Sequence, residues 1–197
     1  MRLIDNQDRI VAPDEFLPSI RNTQVYINLT RFVVDTVIKA LKENSFKLAI
    51  NLDIQDILND DVLNLLKEKF EHEIELARRL TIEILEHEEI KNFKLIKERI
   101  FLLKEIGFKI AMDDFGSGYA NFRYFLDLDM DILKIDGSII KNIDKNINSY
   151  HIVKTIVGFA RSMNMNTVAE QIETDGELKI YATPICQDNF SKILIPS

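Results

Sequence analysis

The sequence predicts an α/β fold in which helical crossovers join the strands of a parallel sheet, and three observations predict it. Short apolar runs of strand length alternate with amphipathic stretches in five units of roughly 20–35 residues. The composition is that of a packed domain, with 197 residues, 46% hydrophobic and 29% charged. Each apolar run also ends in a carboxylate, an amide or an amine. Either a doubly wound sheet or a barrel satisfies this order.

The elements follow from the residue pattern. After a polar opening, Met1 to Ala12, the segment Pro13 to Pro18 reads as a short helix bracketed by prolines. Phe32, Val33, Val37, Ile38 and Leu41 recur at helical spacing and predict a helix over 31–42. The period then changes, and Phe46 to Leu52 is a run of strand length. Ile54, Ile57, Leu58, Val62, Leu65, Leu66 and Phe70 return to helical spacing. A strand at Leu80 to Leu85 precedes a long helix that ends near Ile106, where Gly107 is placed to cap it. Lys109 to Phe115 is the next strand, followed by a glycine-rich turn and a short helix over 122–128. A strand at Ile132 to Asp136, a helix over 149–163 and a strand at Asn166 to Ile172 complete the pattern. No linker or second-domain boundary interrupts residues 1–197, which read as one domain.

Composition excludes several classes of function. One cysteine, Cys186, and three scattered histidines cannot build a Cys/His zinc site or an internal disulfide. His72, His87 and His151 sit among charged or helical neighbours and read as surface residues. A formal charge of −7 argues against a surface for nucleic-acid polymers. No apolar run approaches the ~20 residues of a membrane span, and no signal-peptide pattern opens the chain. A reduced, soluble, cytoplasmic polypeptide is expected, without membrane contact of its own, although a longer parent protein could be anchored.

The strand ends carry the chemistry. Asn51, Glu83, the pair Asp113 and Asp114, Lys134 with Asp136, and Glu170 close successive runs. In a parallel barrel these ends converge on the rim that bears the active site. Five carboxylates in so small a space must shift their pKa values or bind cations. Oxygen-only donors select hard divalent ions such as Mg²⁺ or Mn²⁺, and a pair of them suits attack of water on a phosphate ester. Taken singly, each of these residues also reads as a helix cap or a solvated side chain. The joint pattern over five strands is what points to a site.

Four segments carry a resemblance to a known family. Leu80-Thr-Ile-Glu83-Ile-Leu-Glu86, Met112-Asp113-Asp114-Phe115-Gly116-Ser117-Gly118-Tyr119, Leu133-Lys134-Ile135-Asp136 and Val168-Ala169-Glu170-Gln171-Ile172-Glu173-Thr174 resemble the EAL domain, the bacterial phosphodiesterase domain for cyclic di-GMP. The resemblance implies a TIM-barrel-like fold, a modified β/α barrel with an antiparallel first strand. It implies two Mg²⁺ or Mn²⁺ ions that serve hydrolysis of cyclic di-GMP to linear pGpG in second-messenger signalling. By motif, Asn51, Glu83, Asp113, Asp114, Asp136 and Glu170 match the metal site, and Lys134 and Glu170 the catalytic positions. Arg2 and Glu173 match substrate-binding positions. Glu86 matches the glutamate that steadies the loop bearing Gly116 and Gly118. Family members commonly dimerise near that loop, so a homodimer is expected through Tyr119, Phe122, Tyr124 and Phe125, and further signalling domains are expected upstream.

The departures shape the expectation. The Glu-Ala-Leu signature is absent, and Met1-Arg2-Leu3 resumes the pattern immediately after it. Gln171 stands where the family has glycine, and the match decays after Leu178, with Gln187 a weak candidate for the final glutamine. The barrel is therefore expected to be incomplete at its first and last strands. The alternative to an enzyme is a degenerate, non-catalytic EAL domain that acts as a cyclic di-GMP receptor or a protein-interaction module.

Overall fold

A computed structural model describes residues 3–4, 6–21, 23–85, 92–116, 128–182 and 191–193. At its centre, six parallel strands lie side by side in chain order: β3 (Leu48–Asn51), β4 (Leu80–Leu85), β5 (Lys109–Phe115), β6 (Ile132–Ile135), β7 (Asn166–Ala169) and β8 (Ser191–Ile193). A doubly wound sheet would reverse its strand order part-way, and this one does not. The winding is that of a β/α barrel. A small antiparallel hairpin, β1 (Leu3–Ile4) with β2 (Ile10–Val11), stands apart from the sheet.

The strands separate two chemistries by simple alternation. Along β4, Leu80, Ile82 and Ile84 are fully buried, while Thr81 and Glu83 between them are only half-buried. Each buried Leu or Ile contributes about 1.5–3 kcal/mol of apolar burial. Ile110 of β5 and Leu133 of β6 continue the buried face, which packs with Phe70, Ile96 and Phe108 in one core. The opposite face lines a cavity of about 390 Å³, whose wall includes Thr81, Glu83, Ala111, Ile132, Lys134 and Val168.

The crossovers start and stop where the local chemistry requires. Between β3 and β4 lie α3 (Ile54–Leu58), α4 (Asp60–Phe70) and α5 (Ile74–Ala77). The Asp53 carboxylate caps α3 by accepting from the Asp56 N–H at 2.9 Å, and Asn59 caps α4 by accepting from the Asp61 N–H at 2.8 Å. α6 (Phe93–Ile106) is capped by Asn92 and ends on Gly107, whose φ of +114° is the left-handed conformation that glycine favours. α7 (Gly137–Ile140) and α8 (Ile147–Ser162) follow β6, and α9 (Asp175–Ile180) follows β7.

Ahead of the sheet, α1 (Pro13–Ile20) begins on a proline, and α2 spans Gln24–Glu43. The apolar stripe predicted α2 only from residue 31. Its first two turns were hidden because their buried residues, Tyr26 and Thr30, are polar. The Tyr26 hydroxyl donates to Asp56 Oδ1 at 2.6 Å, which ties α2 to α3. Two predicted strands also end early. β6 stops at Ile135 because Asp136 becomes a helix cap, and β7 stops at Ala169 because the chain turns sharply at Gln171. The short β8, parallel to β7 with Ala169 opposite Ile193, carries too few residues to show in the sequence. The helix predicted over 122–128 lies outside the described residues except at Leu128.

Candidate active site

Register places the polar strand ends together. Asn51 of β3 lies directly opposite Glu83 of β4, and Leu85 of β4 lies opposite Asp113 of β5. Lys134 projects from β6, and Glu170 follows β7 by one residue. The Glu170 N–H donates to the Ile135 carbonyl at 3.1 Å, which anchors the turn to the neighbouring strand.

Lys134 is the centre of the site. Its ammonium lies 2.6 Å from Asp113 Oδ1, 2.9 Å from Glu170 Oε1 and 3.1 Å from Glu83 Oε2, with the side chain only 8% exposed. Burial alone would lower the lysine's pKa, but hydrogen bonds to Asp113 and Glu170 and the charge of Glu83 raise it above its ordinary value. Lys134 therefore stays protonated throughout the physiological range. Burial raises the carboxyls of Glu83 and Glu170 above the usual range, against the pull of Lys134. Three carboxylates around one ammonium leave the cluster short of positive charge.

Asp114 adds a further carboxylate. The β5 ladder shifts register between Met112 and Phe115, and Asp114 takes a left-handed φ of +56°. Its N–H donates to Asp113 Oδ1 at 3.1 Å. With this kink, one carboxylate oxygen each from Asp113, Asp114 and Glu170 lies within 4.8 Å of the others. Gly116 follows at φ +94°, and a Cβ there would fall 2.2 Å from Ile139 Cδ1. The positive φ is what calls for glycine there, since the Ile139 methyl lies at the end of a flexible side chain.

Other residues singled out from the sequence are exposed or engaged elsewhere. Asn51 and Glu173 are exposed. Asp136 uses its carboxylate to cap α7, accepting from the Ser138 N–H at 2.9 Å and from the Ser138 hydroxyl. Gln171 has a φ of +52°, which explains why glycine suits that position, and its side chain lies over Gly137. Arg2, Glu86 and Gly118, with Tyr119, Phe122, Tyr124, Phe125 and Gln187, lie outside the described residues.

Sequence reasoning passed over Glu177, which is buried with 3% exposure and accepts three backbone N–H groups. Burial would raise its carboxyl, but these bonds from Asn142, Glu173 and Thr174 hold it below the usual range. The spacing Thr174-x-x-Glu177 is a capping box and was the available signal.

The sequence profile of the EAL domain matches residues 1–184. The chain belongs to the EAL domain family. Among curated relatives, the cyclic di-GMP phosphodiesterase PdeF of Escherichia coli K12 is 33% identical over 184 residues, covering 89% of this chain and 24% of PdeF. The cyclic di-GMP phosphodiesterase PdeB of Shewanella oneidensis is 29% identical over 178 residues, covering 88% of this chain and 21% of that protein. The chain thus spans about a quarter of the length of these relatives. An EAL domain protein from Listeria monocytogenes EGD-e superposes with a TM-score of 0.78 at 25% identity, over 98% of this chain and 76% of that one. The FimX EAL domain from Pseudomonas aeruginosa, solved bound to c-di-GMP, gives 0.77 at 20% identity over 91% of this chain and 74% of its own. Among the described residues of this EAL domain, no helix is long and apolar enough to cross a membrane.

Proposed function

We propose that this EAL domain is a metal-dependent phosphodiesterase that hydrolyses cyclic di-GMP to linear pGpG. The observation that carries the reading is the union of Lys134 with Asp113, Glu83 and Glu170 beside the convergent oxygens of Asp113, Asp114 and Glu170. An oxygen-only donor set with excess negative charge fits a hard divalent cation. Asp113, Asp114 and Glu170 would hold Mg²⁺ or Mn²⁺, and Glu83, Asn51 and Asp136, matched by motif, are the candidates for a second ion. A bound ion supplies Lewis-acid polarisation of the phosphate and activation of water.

The protein side of the chemistry follows from the protonation states. Lys134 remains an ammonium and so cannot act as the base; it offers a fixed positive donor to the charge that builds on the phosphoryl oxygens. Glu170, 2.9 Å from the Lys134 ammonium, would orient the attacking water and take up its proton. One P–O bond forms to the water oxygen, the P–O bond to the leaving oxygen breaks, and the proton given up by the water passes to that oxygen, which departs as a hydroxyl. The second reading, a cyclic di-GMP receptor without turnover, draws support from Asp136, whose carboxylate is engaged in capping α7.

The test is the initial rate of pGpG formation in saturating Mn²⁺. Wild type is expected to turn over, and Lys134→Met to lose ~100-fold or more in rate, with nucleotide affinity within a few-fold. Tight binding of cyclic di-GMP by the wild type without pGpG would establish the receptor reading instead.

A further inference from the structure

We infer that Glu177 is a positioning residue, a clamp that joins the two loops flanking the acidic centre and thereby sets the place of Glu170; this rests on the phosphodiesterase reading. One carboxylate oxygen accepts from the Asn142 N–H at 2.8 Å. The other accepts from the Glu173 N–H at 3.0 Å and the Thr174 N–H at 3.1 Å. Asn142 belongs to the segment that continues from Lys134 and Asp136 through α7, and it holds a left-handed φ of +60°. Glu173 and Thr174 belong to the turn that begins at Glu170. A single buried carboxylate therefore spans the Lys134 arm and the Glu170 arm.

A capping box alone would not need this arrangement. Such a box uses the N-cap hydroxyl and one carboxylate oxygen within a single helix start, and Thr174 already accepts from the Glu177 N–H at 3.2 Å. The bond to Asn142 is additional, and it reaches across 35 positions in sequence. A second contact joins the same arms, because a Cβ on Gly137 would lie 2.6 Å from Gln171 Oε1. Glu170 sits in a turn, so its 2.9 Å approach to Lys134 depends on how firmly those arms are held.

Two variants separate positioning from mere helix support. In Glu177→Gln, the amide oxygen can still accept from the Glu173 and Thr174 N–H groups, but the amide nitrogen then faces the Asn142 N–H and the cross-loop bond is lost. In Thr174→Ala, the local cap is weakened while the cross-loop bond stays. Mn²⁺ affinity is measured by calorimetry, and kcat and KM by pGpG formation. Glu177→Gln is expected to weaken Mn²⁺ binding and lower kcat by ~10-fold each, with KM nearly unchanged, as for groups that support metal ligands. Thr174→Ala should leave both within about two-fold while losing about 1 kcal/mol of stability.

Hydrogen exchange on the wild type gives a test independent of any variant. Mg²⁺ should slow exchange in peptides covering 137–145 and 171–178 together, since a clamp couples the arms reciprocally. Glu177→Gln with wild-type Mn²⁺ affinity and kcat, or Mg²⁺ protection confined to one of the two peptides, overturns the clamp and leaves the phosphodiesterase reading standing. Conversely, a wild type that binds Mn²⁺ without turnover removes the phosphodiesterase reading, while a Glu177→Gln defect in affinity still supports the clamp.

Discussion

Replacing Lys134 by methionine keeps the volume of the side chain and deletes the ammonium that Glu83, Asp113 and Glu170 share. At ~3 Å and an effective dielectric of about 20, each contact is worth about 5 kcal/mol before desolvation is counted. The net effect is smaller, because water solvates the charges in the unfolded chain. Breaking a buried ion pair from one side typically costs about 3–5 kcal/mol. For a chain of this size that corresponds to a fall in Tm of roughly 6–20 °C in metal-free buffer. The stranded Glu83 and Glu170 would respond by protonating, so their carboxyls, already raised by burial, rise further. A raised carboxyl stabilises below its unfolded pKa and loses that contribution as pH climbs through the folded value. The deficit should thus be larger at pH 8 than at pH 5. Mn²⁺ should restore more stability to Lys134→Met than to wild type, because the ion replaces the missing charge; at one hundred times its Kd it contributes about 2.7 kcal/mol. Thermal unfolding with and without Mn²⁺ at both pH values measures all of this. A metal-free loss under ~1 kcal/mol, or greater Mn²⁺ stabilisation of the wild type, would refute the reasoning.

Three further outcomes are expected. Asp113→Asn keeps an oxygen for Lys134 but removes a carboxylate, so calorimetry should show Mn²⁺ affinity down by about 100-fold or more while metal-free stability stays within ~1 kcal/mol; unchanged affinity would remove Asp113 from the ligand set. Gly137→Ala should destabilise the wild type but do less harm in a Gln171→Gly background, and a urea double-mutant cycle should give a coupling of about 1 kcal/mol or more; additive effects would show that the two residues do not meet. The lowered carboxyl of Glu177 contributes stability that is present above its unfolded value of 4.5 and is lost as pH falls through the folded one. Acid unfolding of Glu177→Gln should accordingly be shallower than that of wild type, and parallel curves would contradict the assignment.

The sequence was most legible where one periodicity ruled. β4 and β5 alternate or run apolar over whole strands, so Leu80–Leu85 and Lys109–Phe115 were placed to the residue. The polar strand ends gave Glu83, Asp113, Asp114, Lys134 and Glu170 together, because a shared register turns sequence order into spatial order. Less legible were features whose cause lies across the fold. Asp136 is a local helix cap that the residue type allowed, but the family motif pointed to a metal site instead. Tyr26 and Thr30 broke the apolar stripe of α2 because both are polar yet buried, Tyr26 donating to Asp56 across the fold and Thr30 to the Tyr26 carbonyl one turn back. Glu177 was passed over although its capping-box spacing from Thr174 is local, and its bond from the Asn142 N–H depends on tertiary approach.

The members of the acidic centre are not equally supported. Asp113 and Lys134 each sit in a strand and pair across one ladder, Asp113 with Leu85 of β4 and Lys134 with Val168 of β7. Shifting either residue would mean breaking the register of the sheet. Glu170 has no such frame. Its N–H donates to the Ile135 carbonyl just past the end of β7, and the next residue already occupies a left-handed conformation. A carboxylate so placed, repelled by Asp113 and Asp114 and drawn by Lys134, settles where its turn allows. The Glu177 clamp and the Gln171–Gly137 contact are the constraints that limit that turn. Loss of either is therefore expected to reach Glu170 before it reaches Asp113, and to appear as weaker ion binding before it appears as an unfolded domain.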